Sequence, residues 1–438
     1  MLTREQMLST FLPDLRTYKP LVGFEYEIQC FEKETLRPLG YDGPRGLGAV
    51  LQAAADITGG RLIRVPGDPP NAVTLPDQGM LSIEPGGQFE FSSAPRASFG
   101  PAMDQFHGYL ALLKELEERF SLHFFYGGVN PVHTLDDIGL VTRKHRYQLM
   151  NDYYPRVGTM GRRMMRQTCS IQVSFDYPDR IKGEELLRTA LCIAPIAAAL
   201  FSNSPYLEGK RTEYLSYRVP IWANTDPTRS GLLPGFTDPG YGFDQYLDHV
   251  LAAPMFFVKD GDNYVDAQGM TFAQFNQRGF AGRSPTLDDF VLHNSTIFND
   301  VRLKTTVEVR TIDSQSPSML PSVLAFLCGI LFCHRARLRT LSTLSKLTEA
   351  EFQALPDQLA REGITGKIGK LPVKELLLDL LNHAARGLPT CFPDGAEAVY
   401  YLDRVRDMVH RGKTPANYVL ERFGDDAAGW LAAGKING

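Results

Sequence analysis

The stretch Leu21–Phe31 alternates apolar and polar side chains, in the sequence LVGFEYEIQCF. A period of two is typical of a β-strand with one buried face and one polar face. Glu25 and Glu27 therefore lie on the same side, about 6.7 Å apart, and at an effective dielectric of about 20 their carboxylates repel by roughly 2.5 kcal/mol. The pattern predicts either a cation over this pair or an edge strand whose outer face is solvated.

Three later segments repeat the two-faced pattern. They are LSIEPGGQFEFSS at Leu81–Ser93, QTCSIQVSFD at Gln167–Asp176 and TTVEVRTID at Thr305–Asp313. A Pro-Gly-Gly break in the first segment separates Glu84 from a strand that carries Glu90. The polar faces of the other two carry Ser170, Gln172 and Ser174, and then Thr306, Glu308 and Arg310.

Helical patterns fill much of the remaining chain. Leu186–Phe201 and Leu320–Cys333 are strongly apolar but fall short of about 18 uninterrupted apolar residues, so we interpret them as buried helices. From Pro317 onward the pattern is mainly helical. Together the strands and helices predict the α+β class, with a curved, mostly antiparallel sheet, helices on its apolar side, and polar faces that converge on a cavity.

Composition excludes several classes of partner. A formal net charge of −4 over 438 residues provides no basic field for nucleic acid. The N-terminal sequence MLTREQMLSTF has no apolar signal core, so we expect a cytoplasmic protein with no membrane partner. The six cysteines lack CxxC spacing, which favours structural thiols over disulfides or zinc ligands.

Five glutamates share the predicted polar faces: Glu25, Glu27, Glu84, Glu90 and Glu308. Arg310 alone cannot balance five buried carboxylates, so the set requires more positive charge. Carboxylate oxygens suit Mg²⁺ or Mn²⁺, and the lack of a His-rich or Cys-rich cluster argues against zinc. For each glutamate taken singly, a surface salt bridge is the alternative.

Cationic side chains are predicted at a helix start and in a long polar loop. They are Lys144 and Arg146, beside Tyr147, and then Arg218 and Arg229, which flank Trp222 within the predicted loop Ser204–Phe236. Guanidinium groups can hold phosphate or carboxylate oxygens bidentately. The chain has no P-loop motif and no GxGxxG motif after a strand. Acidic metal ligands below a rim of arginines fit phosphoryl transfer from a nucleotide, and a metal-dependent hydrolase is the alternative.

Eight segments between roughly residues 18 and 420 carry a family resemblance. In order they are LVGFEYE, LSIEPGGQFEFS, KHRYQLMNDYYPRVGTMG, MMRQTCSIQVSFD, ALFSNSPYLEGKR, YRVPIWANTDPTRSG, YVDAQGMTFAQF and VRLKTTVEVR. Together they resemble the glutamate–cysteine ligase family of plant and proteobacterial type, whose members catalyse the first step of glutathione synthesis. EPGGQFE, VGTMG and GMTF are the specific motifs.

The resemblance implies a glutamine-synthetase-like core, a funnel-shaped antiparallel sheet, and an ATP-dependent ligase that uses Mg²⁺. We expect one large catalytic domain over residues 1–438, mainly helical from about residue 317. The metal ligands implied are Glu25, Glu27, Glu84, Glu90 and Glu308. Arg310 and Arg229 are the implied catalytic residues. The implied contacts to ATP and substrate are Lys144, Arg146, Tyr147, Gln167, Gln172, Arg218 and Trp222.

Two positions depart from the plant members of the family. Gln167 stands where they have an arginine in a strand, which bears on recognition of the amino-acid carboxylate. Tyr26 stands where they have a histidine, and its parity places it on the apolar face. The cysteines do not coincide with those of the plant regulatory disulfides, so redox control is not carried over.

The expected reaction has two steps. The γ-carboxylate of glutamate attacks the γ-phosphorus of ATP, and the amino group of cysteine then attacks the γ-glutamyl phosphate. Because positioning and charge neutralisation drive both steps, the six cysteines should be dispensable, whereas alanine at Glu27 or Glu308 should abolish turnover while the fold persists. A same-fold ligase for another amine or acid and a non-catalytic relative stay open, as does the oligomeric state.

Overall fold

Val22–Glu32 is an eleven-residue strand, as its alternating pattern predicts. The computed structural model describes residues 1–13, 18–64, 68–142, 144–261, 263–344 and 347–435. Within them the strands are β1 Val22–Glu32, β2 Arg61–Ile63, β3 Ala72–Thr74, β4 Met80–Ile83, β5 Phe89–Ser92, β6 Leu122–Phe125, β7 Ser170–Phe175, β8 Tyr206–Leu207, β9 Lys210–Arg211, β10 Ser230–Gly231, β11 Phe257–Asp260, β12 Asn263–Asp266, β13 Phe298–Asn299, β14 Val301–Leu303, β15 Val307–Asp313, β16 Lys367–Ile368 and β17 Leu371–Pro372.

Nine of the strands in the described residues form one sheet. Its order is β14-β15-β7-β1-β5-β4-β3-β2, and β6 pairs with the far end of β1. Each pairing in this sheet is antiparallel. The predicted α+β class with a mostly antiparallel sheet is therefore confirmed.

Helices occupy most of the remaining described residues. They are α1 Arg4–Ser9, α2 Leu47–Thr58, α3 Phe99–Phe120, α4 Leu135–Ile138, α5 His145–Tyr153, α6 Gly161–Gln167, α7 Arg180–Leu200, α8 Arg218–Ala223, α9 Phe243–Ala252, α10 Phe272–Arg278, α11 Leu287–Ser295, α12 Leu320–Leu331, α13 His334–Leu344, α14 Glu349–Glu362, α15 Val373–Cys391, α16 Gly395–Ala398, α17 Tyr401–Arg411, α18 Pro415–Phe423 and α19 Ala427–Ala433.

The apolar face of β1 packs against α3. The rings of Phe24 and Tyr26 meet the ring of Phe106 edge-on, at centroid distances of 5.9 and 5.1 Å. On β15, Thr311 donates a hydrogen bond to the carbonyl of Ala194 in α7, so α7 covers the same side of the sheet. Since the helices bury this face, the alternate residues of β1, β7 and β15 face the opposite side.

The structure corrects three element boundaries. Gln167 ends α6, and the strand that was predicted to include it begins at Ser170. The segment Ser204–Phe236, predicted to be a loop, contains the β8–β9 hairpin and the helix α8. The sequence pattern predicts a short leading helix within residues 1–20; the structure has α1, which ends at Ser9, and residues 14–17 lie outside the described residues.

The C-terminal part is helical, as the sequence predicts, from α12 to α19. The helix α12 is buried along nearly its whole length and packs on α15 and α17. Among the described residues, no single helix has the length and apolar composition to cross a bilayer. Pro317–Leu331 and His334–Leu344 meet those criteria only when taken together, with a bend of 86° between them.

Candidate active site

Antiparallel register brings the acidic side chains of neighbouring strands together. Glu27 of β1 lies directly opposite Glu90 of β5. Glu25 lies opposite Ser92 on one side and Gln172 of β7 on the other. Opposed side chains on adjacent strands have Cβ atoms about 4.5–5.5 Å apart. The repulsion between Glu25 and Glu27 of β1 is therefore increased by Glu90 of β5.

Four of the five predicted glutamates line one cavity of about 300 Å³, called here the acid cavity. These four are Glu25, Glu27, Glu84 and Glu90. The cavity is also lined by Arg146, Tyr147, Gln172, Trp222, Arg302 and Arg310. The structure thus collects most of the predicted acids and several predicted contact residues around one space.

Burial and mutual repulsion disfavour the ionised forms of the glutamates in the acid cavity. Burial and the neighbouring Glu25 raise the pKa of Glu90 well above its ordinary value. Burial also raises the pKa of Glu27 to about 7, with Glu84 and Glu25 adding to the effect and Arg218 opposing it. Hydrogen bonds from the Ser170 amide and hydroxyl, at 2.6 and 3.0 Å, hold the Glu27 carboxylate in place.

Glu308 is already neutralised by three cations. Its carboxylate lies 2.7 Å from Arg302, 2.9 Å from Lys304 and 2.8 Å from Arg310. Although burial alone would raise the pKa of Glu308, these cations hold it well below its ordinary value. Glu308 does not line the acid cavity, but Arg302 and Arg310 reach from its carboxylate to the cavity wall.

The donor chemistry of the acid cavity fits Mg²⁺ or Mn²⁺. In the part of the chain that the structure describes, no three acidic, histidine or cysteine side chains are already arranged as a metal-binding group. However, Glu25, Glu27, Glu84 and Glu90 provide only carboxylate oxygens, which these ions prefer. Burial raises the pKa of Glu25, Glu27 and Glu90, and neighbouring carboxylates raise it further. A bound cation would favour the ionised form of all three.

A second cavity of about 370 Å³ lies beside the acid cavity. Trp222, Phe298 and Arg310 line both. The second cavity is also lined by Arg218, whose guanidinium donates to the Arg310 carbonyl at 2.9 Å, and by Asp300. Burial raises the pKa of Asp300 to about 6, while Arg218 and Arg310 oppose the rise.

Several buried N–H groups around the two cavities lack an acceptor. They are the Nε atoms of Arg146, Arg218 and Arg310 and the Nε1 atom of Trp222, none of which has a hydrogen-bond partner among the described residues. A buried donor without an acceptor costs about 1–3 kcal/mol. An anionic ligand would accept hydrogen bonds from these groups. This agrees with the sequence-based prediction that these side chains contact phosphate or carboxylate oxygens.

Besides Glu308, three predicted site residues line neither the acid cavity nor the second cavity. The Gln167 amide donates to the His133 carbonyl and accepts from Arg163, at 2.8 and 3.0 Å. Lys144 is the N-cap of α5, and burial lowers its pKa to about 8, with Arg146 adding to that effect. The lining residues of the acid cavity include neither Gln167 nor Lys144.

Arg229 is the third such residue, and it is fully buried in a polar cluster of its own. Its Nε atom donates to Asp226 at 2.8 Å and its Nη1 atom to the Thr296 carbonyl at 3.3 Å. Its guanidinium lies 3.9 Å from the centre of the Phe256 ring. These contacts use the side chain internally, and one of them reaches Thr296 in the wall of the acid cavity.

Sequence reasoning missed Arg302 and Asp300. Arg302 lies opposite Glu308 in the β14–β15 hairpin and donates to that carboxylate. The segment VRLKTTVEVR contained the signal, because pairing its two halves across the KTT turn opposes Arg302 and Glu308. Asp300 precedes this hairpin and lies outside the segments of alternating apolar and polar residues, so the sequence pattern did not indicate it as a site residue.

Comparison with known proteins identifies the family. The model of glutamate-cysteine ligase family 2 (GCS2) matches residues 21–435. The chain belongs to this family. The chloroplastic glutamate–cysteine ligase of Brassica juncea is 34% identical over 431 residues, which cover 96% of this chain and 81% of the relative. The Arabidopsis thaliana enzyme of the same name is also 34% identical, over 96% of this chain and 80% of the relative.

A solved structure shares the fold of this GCS2 protein. The glutamate–cysteine ligase of Francisella tularensis, solved in complex with AMP, superposes with a TM-score of 0.57 at 11% identity. The match covers 96% of this chain and 89% of the other. At that identity the likeness shows the fold, which is the one that the sequence resemblance implies.

The raised pKa of Glu27 predicts a pH-dependent stability in the ligand-free GCS2 protein. A carboxyl whose pKa rises from 4.5 to about 7 on folding stabilises the protein fully below 4.5 and loses that contribution as the pH rises through 7. Relative to Glu27→Gln, the wild type should lose about 1–3 kcal/mol of unfolding free energy between about pH 5 and pH 8. Urea unfolding of both proteins at the two pH values measures this difference. If the difference in unfolding free energy between wild type and Glu27→Gln is the same at both pH values, the raised pKa of Glu27 is contradicted.

Arg229→Lys separates a scaffold role from the predicted catalytic one. Lysine keeps the charge but loses the forked contacts, so the free energy of unfolding should fall by about 1–3 kcal/mol. Because Arg229 lies outside the acid cavity, kcat of the folded variant should stay within about twofold of wild type. Urea titration and initial rates measured below the unfolding transition test both statements. A large fall in kcat with unchanged stability would instead support the catalytic role.

Proposed function

We propose that this GCS2 protein joins L-glutamate to L-cysteine in an ATP-dependent reaction that forms γ-glutamylcysteine, ADP and phosphate. The observation that carries the proposal is the acid cavity, where four glutamates adjoin Arg310 and Trp222. An acidic site beside unpartnered cationic donors suits a reaction that brings nucleotide phosphates and a carboxylate together. Relatives that share a third of the sequence are named glutamate–cysteine ligases.

We assign the metal-binding role to Glu25, Glu27, Glu84 and Glu90, with Mg²⁺ as the physiological ion and Mn²⁺ as a substitute. When bound, such ions neutralise phosphate charge and so allow two anions to approach each other. Ser170 orients Glu27 for this task through its amide and hydroxyl. Glu308 supports the site indirectly, because it fixes Arg302 and Arg310 at the wall of the acid cavity.

The chain's own cations bind and orient the reacting groups. Arg310 donates to Glu308 and Gln172 through Nη1, and its Nε atom stays available for a phosphoryl oxygen. Arg218 has a free Nε atom in the adjoining cavity. The glutamate γ-carboxylate displaces ADP from the γ-phosphorus, and the cysteine amine then displaces phosphate from the acyl carbon and loses a proton. Enzyme nucleophiles take no part in either displacement.

An ADP-release assay across amines tests the function. The protein is supplied with Mg-ATP and glutamate, then with cysteine or another amine, and the product is identified by mass spectrometry. ADP release that depends on cysteine and yields γ-glutamylcysteine supports the proposal. Release with a different amine only, or no release with any amine, overturns it. Addition of EDTA should stop the reaction, and Mg²⁺ or Mn²⁺ should restore it.

We also propose that residues 1–438 work as one catalytic domain in the cytoplasm. The main sheet draws strands from β1 to β15, and α12 of the C-terminal helical part contacts β7 of that sheet. The named relatives are chloroplastic, so the cytoplasmic location stays a prediction. Fractionation of cells that express the tagged chain checks it.

A further inference from the structure

A third cavity, of about 520 Å³, lies in the helical part of the protein and shares no lining residue with the acid cavity or its neighbour. We call it the helix cavity. It lies where the turn between α12 and α13 faces α15, and Cys333, His334, Arg335, Arg339, His383, Arg386 and Cys391 are among its lining residues. The proposed ligase reaction uses none of these side chains.

Three arginines give the helix cavity an uncompensated positive charge. Arg335, Arg339 and Arg386 are exposed, and their side chains make no hydrogen bond or ion pair with other described residues. His334 differs, because Glu185 lies 2.8 Å from it and also pairs with the neighbouring Arg337 at 2.6 Å. The available charge at the cavity therefore comes from three guanidinium groups.

His383 adds one buried ring nitrogen that has no partner among the described residues. Its side chain is 6% exposed, and its Nδ1 atom has no hydrogen-bond partner among the described residues. The Nε2 atom lies 3.5 Å from Asp379 on the same helix. Burial lowers the pKa of His383, and Arg339 and Arg386 lower it further against the effect of Asp379, so both guanidinium groups act on this ring. A buried polar atom of this kind is normally satisfied, by protein, water or ligand.

The N-terminus of α13 also favours an anion in the helix cavity. This eleven-residue helix begins at His334, in the cavity wall, and has no acidic residue in its first turn. The N-terminus of a helix presents free N–H groups and the positive end of its dipole, which together attract anions. Natural sequences often place Asp or Glu in this turn, whereas here Arg335 occupies it and the carboxylate of Glu185, from α7, pairs with His334 and Arg337.

We propose that the helix cavity is a binding site for a small multivalent anion that carries phosphate or carboxylate groups. Arginine forks hold such oxygens bidentately, and the α13 N-terminus contributes N–H donors. His383 donates the remaining hydrogen bond through Nδ1 in the tautomer that protonates this atom. A volume of about 520 Å³ is in the range of small-molecule sites. The site is distinct from the one that would bind the nucleotide and amino acids.

Protection of two cysteines from alkylation reports occupancy of this cavity specifically. Cys333 and Cys391 line it and are partly exposed, whereas the other four cysteines are buried. Wild-type protein is treated with N-ethylmaleimide in a zwitterionic buffer freed of metal ions with a chelating resin and held at constant ionic strength. Pyrophosphate or citrate is the probe, and labelled peptides are quantified by mass spectrometry. At a probe concentration roughly five times Kd, labelling of both cysteines should slow about sixfold.

Matched arginine variants make the test decisive. In Arg339→Gln/Arg386→Gln the protection at the same probe concentration should fall to about 1.5-fold or less, since Kd should rise about tenfold or more when two charge-assisted contacts are lost. Arg278→Gln removes an exposed arginine on α10, which packs on α9, and should keep full protection. Protection by pyrophosphate alone indicates a phosphate ligand, by citrate alone a carboxylate ligand, and by both a shared oxyanion site. Absence of protection by either probe at 10 mM, or equal protection in the double variant, would overturn the proposal.

Discussion

Glu27→Gln is expected to reduce ADP release by about 10²–10³-fold while leaving the protein folded. Glutamine keeps the volume and can still accept hydrogen bonds from Ser170, so the local packing persists. It removes the charge that lies directly opposite Glu90 and that we assign to cation binding. Because the neutral side chain relieves repulsion in the acid cavity, the ligand-free variant should be at least as stable as wild type above about pH 7.

The assay for Glu27→Gln has two arms. Initial ADP-release rates are measured over a range of Mg²⁺ concentrations, and urea unfolding is measured in parallel. Glu118→Gln, on the exposed side of α3, is the matched control and should keep wild-type kinetics. A Glu27→Gln enzyme with wild-type turnover at ordinary Mg²⁺ concentrations would contradict the metal-binding assignment.

Glu308→Ala is expected to abolish turnover and also to destabilise the fold. The substitution leaves Arg302 and Arg310 buried without their shared carboxylate, and removal of one partner from a buried ion pair costs about 3–5 kcal/mol. This differs from the sequence-based expectation that the fold would persist. The reason is that the sequence showed one arginine beside Glu308, whereas the structure places three cations on it.

A comparison with Glu308→Gln separates loss of activity from loss of structure. The amide oxygen can still accept a hydrogen bond from Arg302, so Glu308→Gln should lose less unfolding free energy than Glu308→Ala. Both variants should lose turnover, because Arg310 is no longer fixed at the cavity wall by a charged partner. Full activity in the folded fraction of either variant would falsify the role we give to this ion-pair network. Urea unfolding and rates corrected for the folded fraction supply the two readouts.

The ion pairs of Glu308 distinguish it from the other four glutamates as a metal ligand. A carboxylate held by three cations is a poor ligand for another cation, since both would compete for the same oxygens. Glu25, Glu27 and Glu90 form no ion pair among the described residues, and cations act on Glu25 and Glu27 only at longer range. We therefore infer that these three acids are the better ligands. The five glutamates predicted as one set therefore divide into a cavity-lining group and a buried anchor for arginines.

The sequence by itself determined the strands and the identity of the acids. Alternation over Leu21–Phe31 predicted which side chains of β1 face the core, and Tyr26 lies there against Phe106. Period-two patterns are local, because each residue's face follows from its neighbours along the chain. The family motifs are local in the same sense, so the resemblance and the α+β class could be read without coordinates.

Only the tertiary structure decided which residues share a site. Register placed Glu27 opposite Glu90, and folding brought Arg302 and Lys304 onto Glu308. By contrast, Gln167 and Arg229, which belong to family motifs, bond internally to His133 and Asp226 and do not line the acid cavity. A side chain's partners depend on strand pairing and on helix boundaries far along the chain, whereas its face on a strand depends only on adjacent residues. For this reason the sequence named the acids of the site, and the fold determined which cations meet them.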